Sequence, residues 1–341
     1  MNNEYTFIDL FAGIGGIRLG FERAGFKCVY SNDINRSAIE TYEKNFRDKV
    51  DDRDIRLVSA DSIPSFDILC AGFPCQPFSL AGVSARSGLG RKHGFEDTDQ
   101  GNLFFEIVRI VKFHKPKVVF LENVANFVNH DKGNSLKTVR RELKKLGYTF
   151  KYEVIDASLL VPQRRRRTYM VATLDNEFNF PNIKQKKHKL SDILQRKEEA
   201  LPYTISDKLW SSHQARTKRN QEKGNGFRHN LVDLSGIANT LTSRYGKDGR
   251  ENLIPQHKNN PRLLTPRECA RLMGFDDDFV LPTYKTPAYR QLGNSVCVPV
   301  IENIAEGISK HLSENDLQVF ESTENDLVLS QVLVENRPIS G

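Results

Sequence analysis

The chain has 341 residues, 38% hydrophobic and 27% charged, enough to bury a substantial core in two unequal lobes, and no apolar run approaches the roughly 20 residues of a membrane helix. Five cysteines, an odd number with no Cys-x-x-Cys pair, argue against a zinc cluster and a disulfide framework, so no metal is expected and any special cysteine is special chemically. The net charge of +7 suits a polyanionic partner and is unevenly placed: residues 164–223 hold fifteen Lys/Arg against seven Asp/Glu, residues 313–341 one Arg against six acids. The middle is the expected binding surface and the tail is not.

The first residues pass from polar side chains directly into an apolar run, without the basic region and cleavage site of a signal peptide, which predicts a cytoplasmic protein. Tyr5 to Phe11, Lys27 to Asn32, Arg56 to Ala60, Phe66 to Gly72 and Lys117 to Glu122 read as buried parallel strands. Ile17 to Ala24, Ser37 to Asn45 and Leu103 to Phe113 space their apolar residues as helices. This alternation predicts an α/β fold, a doubly wound and mostly parallel sheet. The first strand ends in a glycine turn, Asp9 to Gly16, where a nucleotide-like ligand meets backbone amides in such folds. Asp33, twenty residues beyond Gly13, stands where an acid binds ribose hydroxyls, and Asp61 after the third expected strand is placed to meet an adenine amino group. Taken alone, a glycine turn and a distant acid also describe a turn with no ligand. Arg18 at the third glycine position of the dinucleotide fingerprint speaks against NAD.

Phe73-Pro74-Cys75-Gln76-Pro77 follows the fourth expected strand and Glu122-Asn123-Val124 the fifth, at neighbouring strand ends that open on the same crevice. A lone cysteine is usually a small buried hydrophobe, but two prolines fix this loop and present one side chain. Residues 82–101, with five glycines, read as a mobile lid whose Arg86, Arg91, Lys92 and His93 are available to phosphates. From Val161 to Arg167 a period of two puts Gln163, Arg165 and Arg167 on one face and Arg164 and Arg166 on the other. The strand–helix rhythm disappears between Asp175 and Pro261, which predicts a smaller irregular domain. Thr265, Pro266 and Glu268 then carry the N-cap, first-turn proline and capping box of a helix. A last helix, Pro299 to Leu312, precedes the acidic tail.

Phe11-Ala12-Gly13-x-Gly15-Gly16, Gly72-Phe73-Pro74-Cys75-Gln76, Glu122-Asn123-Val124, Gln163-x-Arg165-x-Arg167 and Gly293-Asn294-Ser295-Val296 occur in the order and approximate spacing of the DNA (cytosine-5)-methyltransferases, and the chain resembles that family over about residues 4–172 and 261–310. The resemblance implies a class I S-adenosylmethionine-dependent catalytic domain over 1–174, a target-recognition domain over 175–285, a segment 286–312 returning to the catalytic domain, and a tail over 313–341. It implies S-adenosylmethionine as methyl donor, held by Phe11, Gly13, Gly15, Asp33, Asp61, Leu103, Asn294 and Val296. Ile34 departs from relatives that have an aromatic residue there. It implies Cys75 as nucleophile at cytosine C6, Glu122 at N3 and Arg165 at O2, on a base flipped out of double-stranded DNA. Gln163, Arg167, Arg244, Tyr245, Lys247 and Arg250, with the lid cations, are the expected DNA contacts. Gly82-Val83-Ser84, Thr240 to Gly249 and Ala288-Tyr289-Arg290-Gln291 resemble the Dcm-type branch, which methylates within CCWGG or CCNGG. A prokaryotic restriction-modification enzyme is expected, monomeric, with any cognate restriction endonuclease a separate protein. The nearest competing reading is an RNA cytosine-5 methyltransferase of the same superfamily. An adenine or cytosine amino-methyltransferase would need an Asp/Asn/Ser-Pro-Pro-aromatic loop, which is lacking.

Overall fold

In the computed structural model the described residues are 4–335 without 75–102, 225 and 227, and without the side chains of 248 and 317–335. Strands β1 (Thr6–Leu10), β2 (Lys27–Asn32), β3 (Ile68–Gly72), β4 (Val118–Val124), β5 (Thr149–Asp156) and β6 (Arg166–Thr173) form one sheet in the order β2-β1-β3-β4-β6-β5. β1 pairs in parallel with β2 and β3, and β3 with β4, while β6 runs antiparallel to both β4 and β5. The helices that cover the sheet and continue the chain are α1 (Gly16–Arg23), α2 (Arg36–Phe46), α3 (Leu103–His114), α4 (Asn134–Lys145), α5 (Asp207–Glu222), α6 (Pro266–Leu272), α7 (Lys285–Asn294) and α8 (Val298–Glu335). None of the described helices is long and apolar enough to cross a membrane.

Strand alternation sends successive side chains to opposite faces. Leu69, Ala71, Val119 and Leu121 pack with Ile107 and Val111 of α3 and Val139 of α4. Ile68, Cys70, Val118 and Phe120 pack on the other face with Phe21 of α1 and Ile301, Ile304 and Ile308 of α8. Both faces of β3 and β4 are therefore covered, which is why these strands are continuous apolar runs. A third cluster is built mainly from residues 190–298, through Leu190, Leu241, Tyr245, Leu264, Leu272 and Met273, and it shares Ile14 and Ala38 with the sheet region. Chain pairing there is reduced to isolated bridges such as Gln163 with Ala238 and Leu231 with Leu253.

Three expectations change. Arg56 to Ala60 is not a strand but lies in short 3-10 turns, Ile55–Leu57 and Ala60–Ser62; the Asp54 carboxylate accepts from the Arg56 amide at 3.0 Å and diverts the backbone from a ladder. β5 was not anticipated: among the described residues it is an edge strand that pairs with β6 alone, and its Tyr152 and Glu153 face solvent. The last helix does not end at Leu312 but runs as α8 to Glu335.

Candidate active site

The chain leaves β1 in a left-handed turn, with φ of +58° at Phe11, +58° at Gly13 and +84° at Gly15. A non-glycine residue in that region costs about 1 kcal/mol or more and marks a turn held for a purpose. The Asp33 carboxylate at the end of β2 accepts from the Gly13 amide at 2.8 Å and the Asn35 amide at 2.7 Å, so one acid braces both the glycine turn and the entry to α2. Opposite, the C-terminal end of α7 closes the wall: a Cβ at Gly16 would lie 2.7 Å from Ser295 Oγ and 2.9 Å from Val296 Cγ2.

Together these elements and the ends of β3 and β4 surround a cavity of about 960 Å³. Phe11, Gly13, Asp33, Leu103, Asn294 and Val296 line it as expected. Gly15 does not; a Cβ there would stand 2.2 Å from the Phe46 ring, so this glycine lets α2 pack against the turn. Asp61 does not either: it is exposed and receives the Ser59 hydroxyl. The acid at that end of the cavity is Asp54, beside Ile55, and its Arg56 neighbour holds it ionised below the usual carboxylate range. The sequence reading missed it because it took the following residues for a strand and looked for the acid beyond them.

At the other end, Gly72 of β3 is in register with Glu122 of β4. Asn123 donates to the Phe73 carbonyl at 3.0 Å and so fastens the end of β4 to the loop that continues through Pro74, a cavity residue, to Cys75. Cys75 itself, with Arg86, Arg91, Lys92 and His93, lies outside the described residues. The four other cysteines are free thiols, and burial pushes the pKa of each up: Cys28 to about 11, Cys297 to about 12, Cys70 and Cys269 well above the ordinary range. They are held as inert thiols. Burial also raises the pKa of Glu122, against the pull of Arg167 first and Arg165 second.

The alternation of arginines is as read, with Arg165 and Arg167 inward and Arg164 and Arg166 exposed. The roles within the inward face change. Arg167 Nε stands 3.2 Å from Glu122 Oε1 and lines the cavity. Arg165, 1% exposed, spends both terminal nitrogens on backbone carbonyls: Nη1 donates to Leu241 at 2.8 Å, and Nη2 to Gly293 at 3.0 Å and to Ser295. Among the described residues its Nε has no hydrogen-bond partner, and burial lowers its pKa to about 10, which leaves it charged at neutral pH. Arg165 is not among the cavity-lining residues, whereas Arg167, beside Glu122, is.

Two expected DNA contacts are also interior groups. Gln163 is fully buried, donating to the Leu272 carbonyl at 3.0 Å and accepting from the Leu241 amide at 2.8 Å. Tyr245 is fully buried, its hydroxyl donating to Asn252 and accepting from the Leu264 amide, both at 2.7 Å. Arg244 and Lys247 of the same turn are exposed, and Arg250 is half-buried. Among the described residues no His, Cys, Asp or Glu cluster is arranged to hold a metal ion.

The sequence profile of the C-5 cytosine-specific DNA methylases matches residues 5–310. The chain is 43% identical to the Type II methyltransferase M.DsaV of Dactylococcopsis salina over 96% of this chain and 93% of that relative. It is 46% identical to the Type II methyltransferase M.NlaX of Neisseria lactamica, over 91% and 97%. Its fold is similar to the crystal structure of S. pombe Dnmt2 methyltransferase, with a TM-score of 0.70 at 19% identity, covering 91% of this chain and 98% of the other.

Proposed function

The chain belongs to the C-5 cytosine-specific DNA methylase family, and from that premise we propose that it transfers a methyl group from S-adenosylmethionine to C5 of a cytosine swung out of duplex DNA, within a restriction-modification system. The observation that carries this reading is one cavity shared by the glycine turn of β1, the Glu122–Arg167 pair and Pro74, the residue before Cys75. The cavity suits the cofactor chemically. Asp33 and Asp54 offer carboxylate acceptors to hydroxyls and an amine, Ile34 and Ile55 offer aliphatic faces, and the open left-handed Gly13 allows close backbone approach. S-adenosylmethionine, when bound, supplies the electrophilic methyl group.

The chain's own residues do the rest. C5 of cytosine is too weak a nucleophile until a group adds to C6, and Cys75 is assigned that addition because the other cysteines are held as buried neutral thiols. Glu122, more readily protonated than an ordinary carboxylate, is assigned to donate to N3 as negative charge builds there. Arg167, bound to Glu122, is assigned to the O2 side of the ring. Once C5 carries the methyl group, loss of the C5 proton to solvent reforms the C5–C6 double bond and breaks the C6–S bond, so Cys75 leaves as a thiolate and Glu122 takes back the N3 proton. Residues 175–285 are assigned to target recognition, with Arg244 and Lys247 reading the duplex and the CCWGG or CCNGG site as the sequence to test first. The enzyme is taken to act as a monomer in the cytoplasm, and any cognate endonuclease to act as a separate protein.

Bisulfite sequencing of DNA from expressing cells should map 5-methylcytosine to one short site. A duplex with 5-fluorocytosine at that position should trap a covalent adduct that survives denaturation, because fluorine cannot leave as the proton does. Cys75→Ser should form none. Glu122→Gln should slow adduct formation on the order of 10²-fold or more while its cofactor affinity stays close to wild type. An adduct mapped to another cysteine, or methylation of tRNA but not DNA, would overturn the reading.

A further inference from the structure

Arg165 is a buried cation that the proposed chemistry does not use, and its partners come from two distant parts of the chain. On one side is the carbonyl of Leu241, which leads into the exposed turn carrying Arg244 and Lys247. On the other are the carbonyls of Gly293 and Ser295, which flank the cavity residue Asn294. The two sides also touch directly. A Cβ at Gly293 would stand 2.3 Å from the Thr242 carbonyl group and 2.4 Å from the Ser243 nitrogen, so only a glycine lets these backbones meet.

The segment on which Arg165 sits is itself zipped to the same side. The Ala238 amide donates to the Pro162 carbonyl and the Arg164 amide to the Ala238 carbonyl, both at 2.8 Å. The Thr240 hydroxyl donates to the Arg164 carbonyl at 2.7 Å, and Gln163 binds the Leu241 amide. Two residues further on, Arg167 reaches Glu122. The 241–250 segment is therefore linked to the Asn294 wall and to Glu122 through one guanidinium and the chain that enters β6.

We propose that Arg165, on the zipped segment 162–165, is a positioning residue that makes DNA recognition and cofactor binding interdependent, holding the recognition turn and the cofactor wall as one body. This rests on the reading of 241–250 as a DNA-contacting turn. An unpaired buried cation cannot slide freely along its carbonyls, because losing one leaves an N–H without a partner in a dry environment. The coupling is reciprocal, so the factor by which DNA tightens the cofactor equals that by which the cofactor tightens DNA.

The test measures binding of S-adenosylhomocysteine, the unreactive product, by titration calorimetry with and without a saturating duplex carrying the site mapped by bisulfite sequencing. In the wild type the duplex should tighten binding by about tenfold or more. Arg165→Lys keeps the charge but lacks the fork that reaches both sides at once. Its DNA-free affinity should stay within about threefold of wild type while the coupling falls to about twofold or less. Undiminished coupling in Arg165→Lys overturns the proposal, as does a DNA-free loss as large as the DNA-bound one, which would mean a merely structural role. Should that variant fail to fold, half-buried Thr240 decides: Thr240→Ala should reduce the coupling and Thr240→Ser restore it, and no change in Thr240→Ala overturns the proposal. A wild type that methylates DNA but shows no coupling sinks this proposal alone, whereas a wild type that methylates no DNA sinks the functional reading beneath it.

Discussion

Asp9 sits near the C-terminal end of β1, fully buried, and neither carboxylate oxygen accepts a well-formed hydrogen bond from the described residues. Burial raises its pKa from 3.8 to about 8; the charge of Arg18 opposes this, with a smaller contribution from the nearby Arg18 amide. The folded protein thus keeps a proton there that the unfolded chain loses near pH 4, and the associated stability is complete below that pH and lost as pH rises to about 8. Asp9→Asn, neutral throughout, should gain stability relative to wild type between pH 5 and 8, at up to about 1.4 kcal/mol per pH unit. Parallel urea-denaturation curves across that window would contradict it. The two other acids at issue separate as cleanly: Asp54→Ala should weaken S-adenosylhomocysteine binding about tenfold, the value of one lost hydrogen bond to a charged group, and Asp61→Ala should leave it unchanged. Glu122 and Asp33 were legible in the sequence because a strand end fixes where an acid points. Asp54 was not, because a side chain capturing its own backbone looks, as letters, like the start of a strand. Arg165 and Arg167 were indistinguishable for a related reason. Alternation assigns both to one face, but only the packed structure says which has its donors already taken.

At the scale of elements, local patterns were read well and distant partners were not. The capping box of α6 stands as expected, with Thr265 Oγ1 accepting from the Glu268 amide at 3.1 Å and Glu268 Oε2 from the Thr265 amide at 2.8 Å. Six residues ahead of Glu268, Arg262 supplies a buried bidentate pair at 2.7 and 2.9 Å, a partnership no helical spacing announces. The two contributions should differ in size. Thr265→Ala removes a cap and should cost about 1 kcal/mol, whereas Glu268→Ala strands a buried guanidinium and should cost about 3 to 5 kcal/mol. Equal losses in thermal denaturation would mean that the ion pair adds nothing beyond the cap. β5 escaped the sequence reading because an edge strand whose middle meets solvent on both faces lacks the apolar run that marked β3 and β4.

For the molecule as a whole, α8 is the element that binds the end of the chain to its beginning. Gly20 of α1 lies so close to it that a Cβ would stand 2.5 Å from Ile301 Cγ2, and Asp316 accepts from the Tyr5 hydroxyl at 2.5 Å. A chain ending at Asp316 keeps these contacts and should fold and methylate as the full chain does. One ending at Pro299 exposes the face that Ile301, Ile304 and Ile308 cover. At about 1.5 to 3 kcal/mol for each aliphatic side chain, that loss approaches the whole stability of a typical domain. It should yield insoluble protein; a soluble, active product of that length would show that α8 is dispensable.

The meeting of Gly16 with Ser295 and Val296 has a consequence in time. These residues are synthesised about 280 positions apart, on the order of tens of seconds at ribosomal speed, and until the later ones emerge the cavity lacks a wall. A nascent or prematurely terminated chain therefore displays the glycine turn and the strand ends without being able to enclose anything between them. Activity arrives only once α7 and the first turns of α8 have been made, so abortive translation products that stop before them should be silent on the genome.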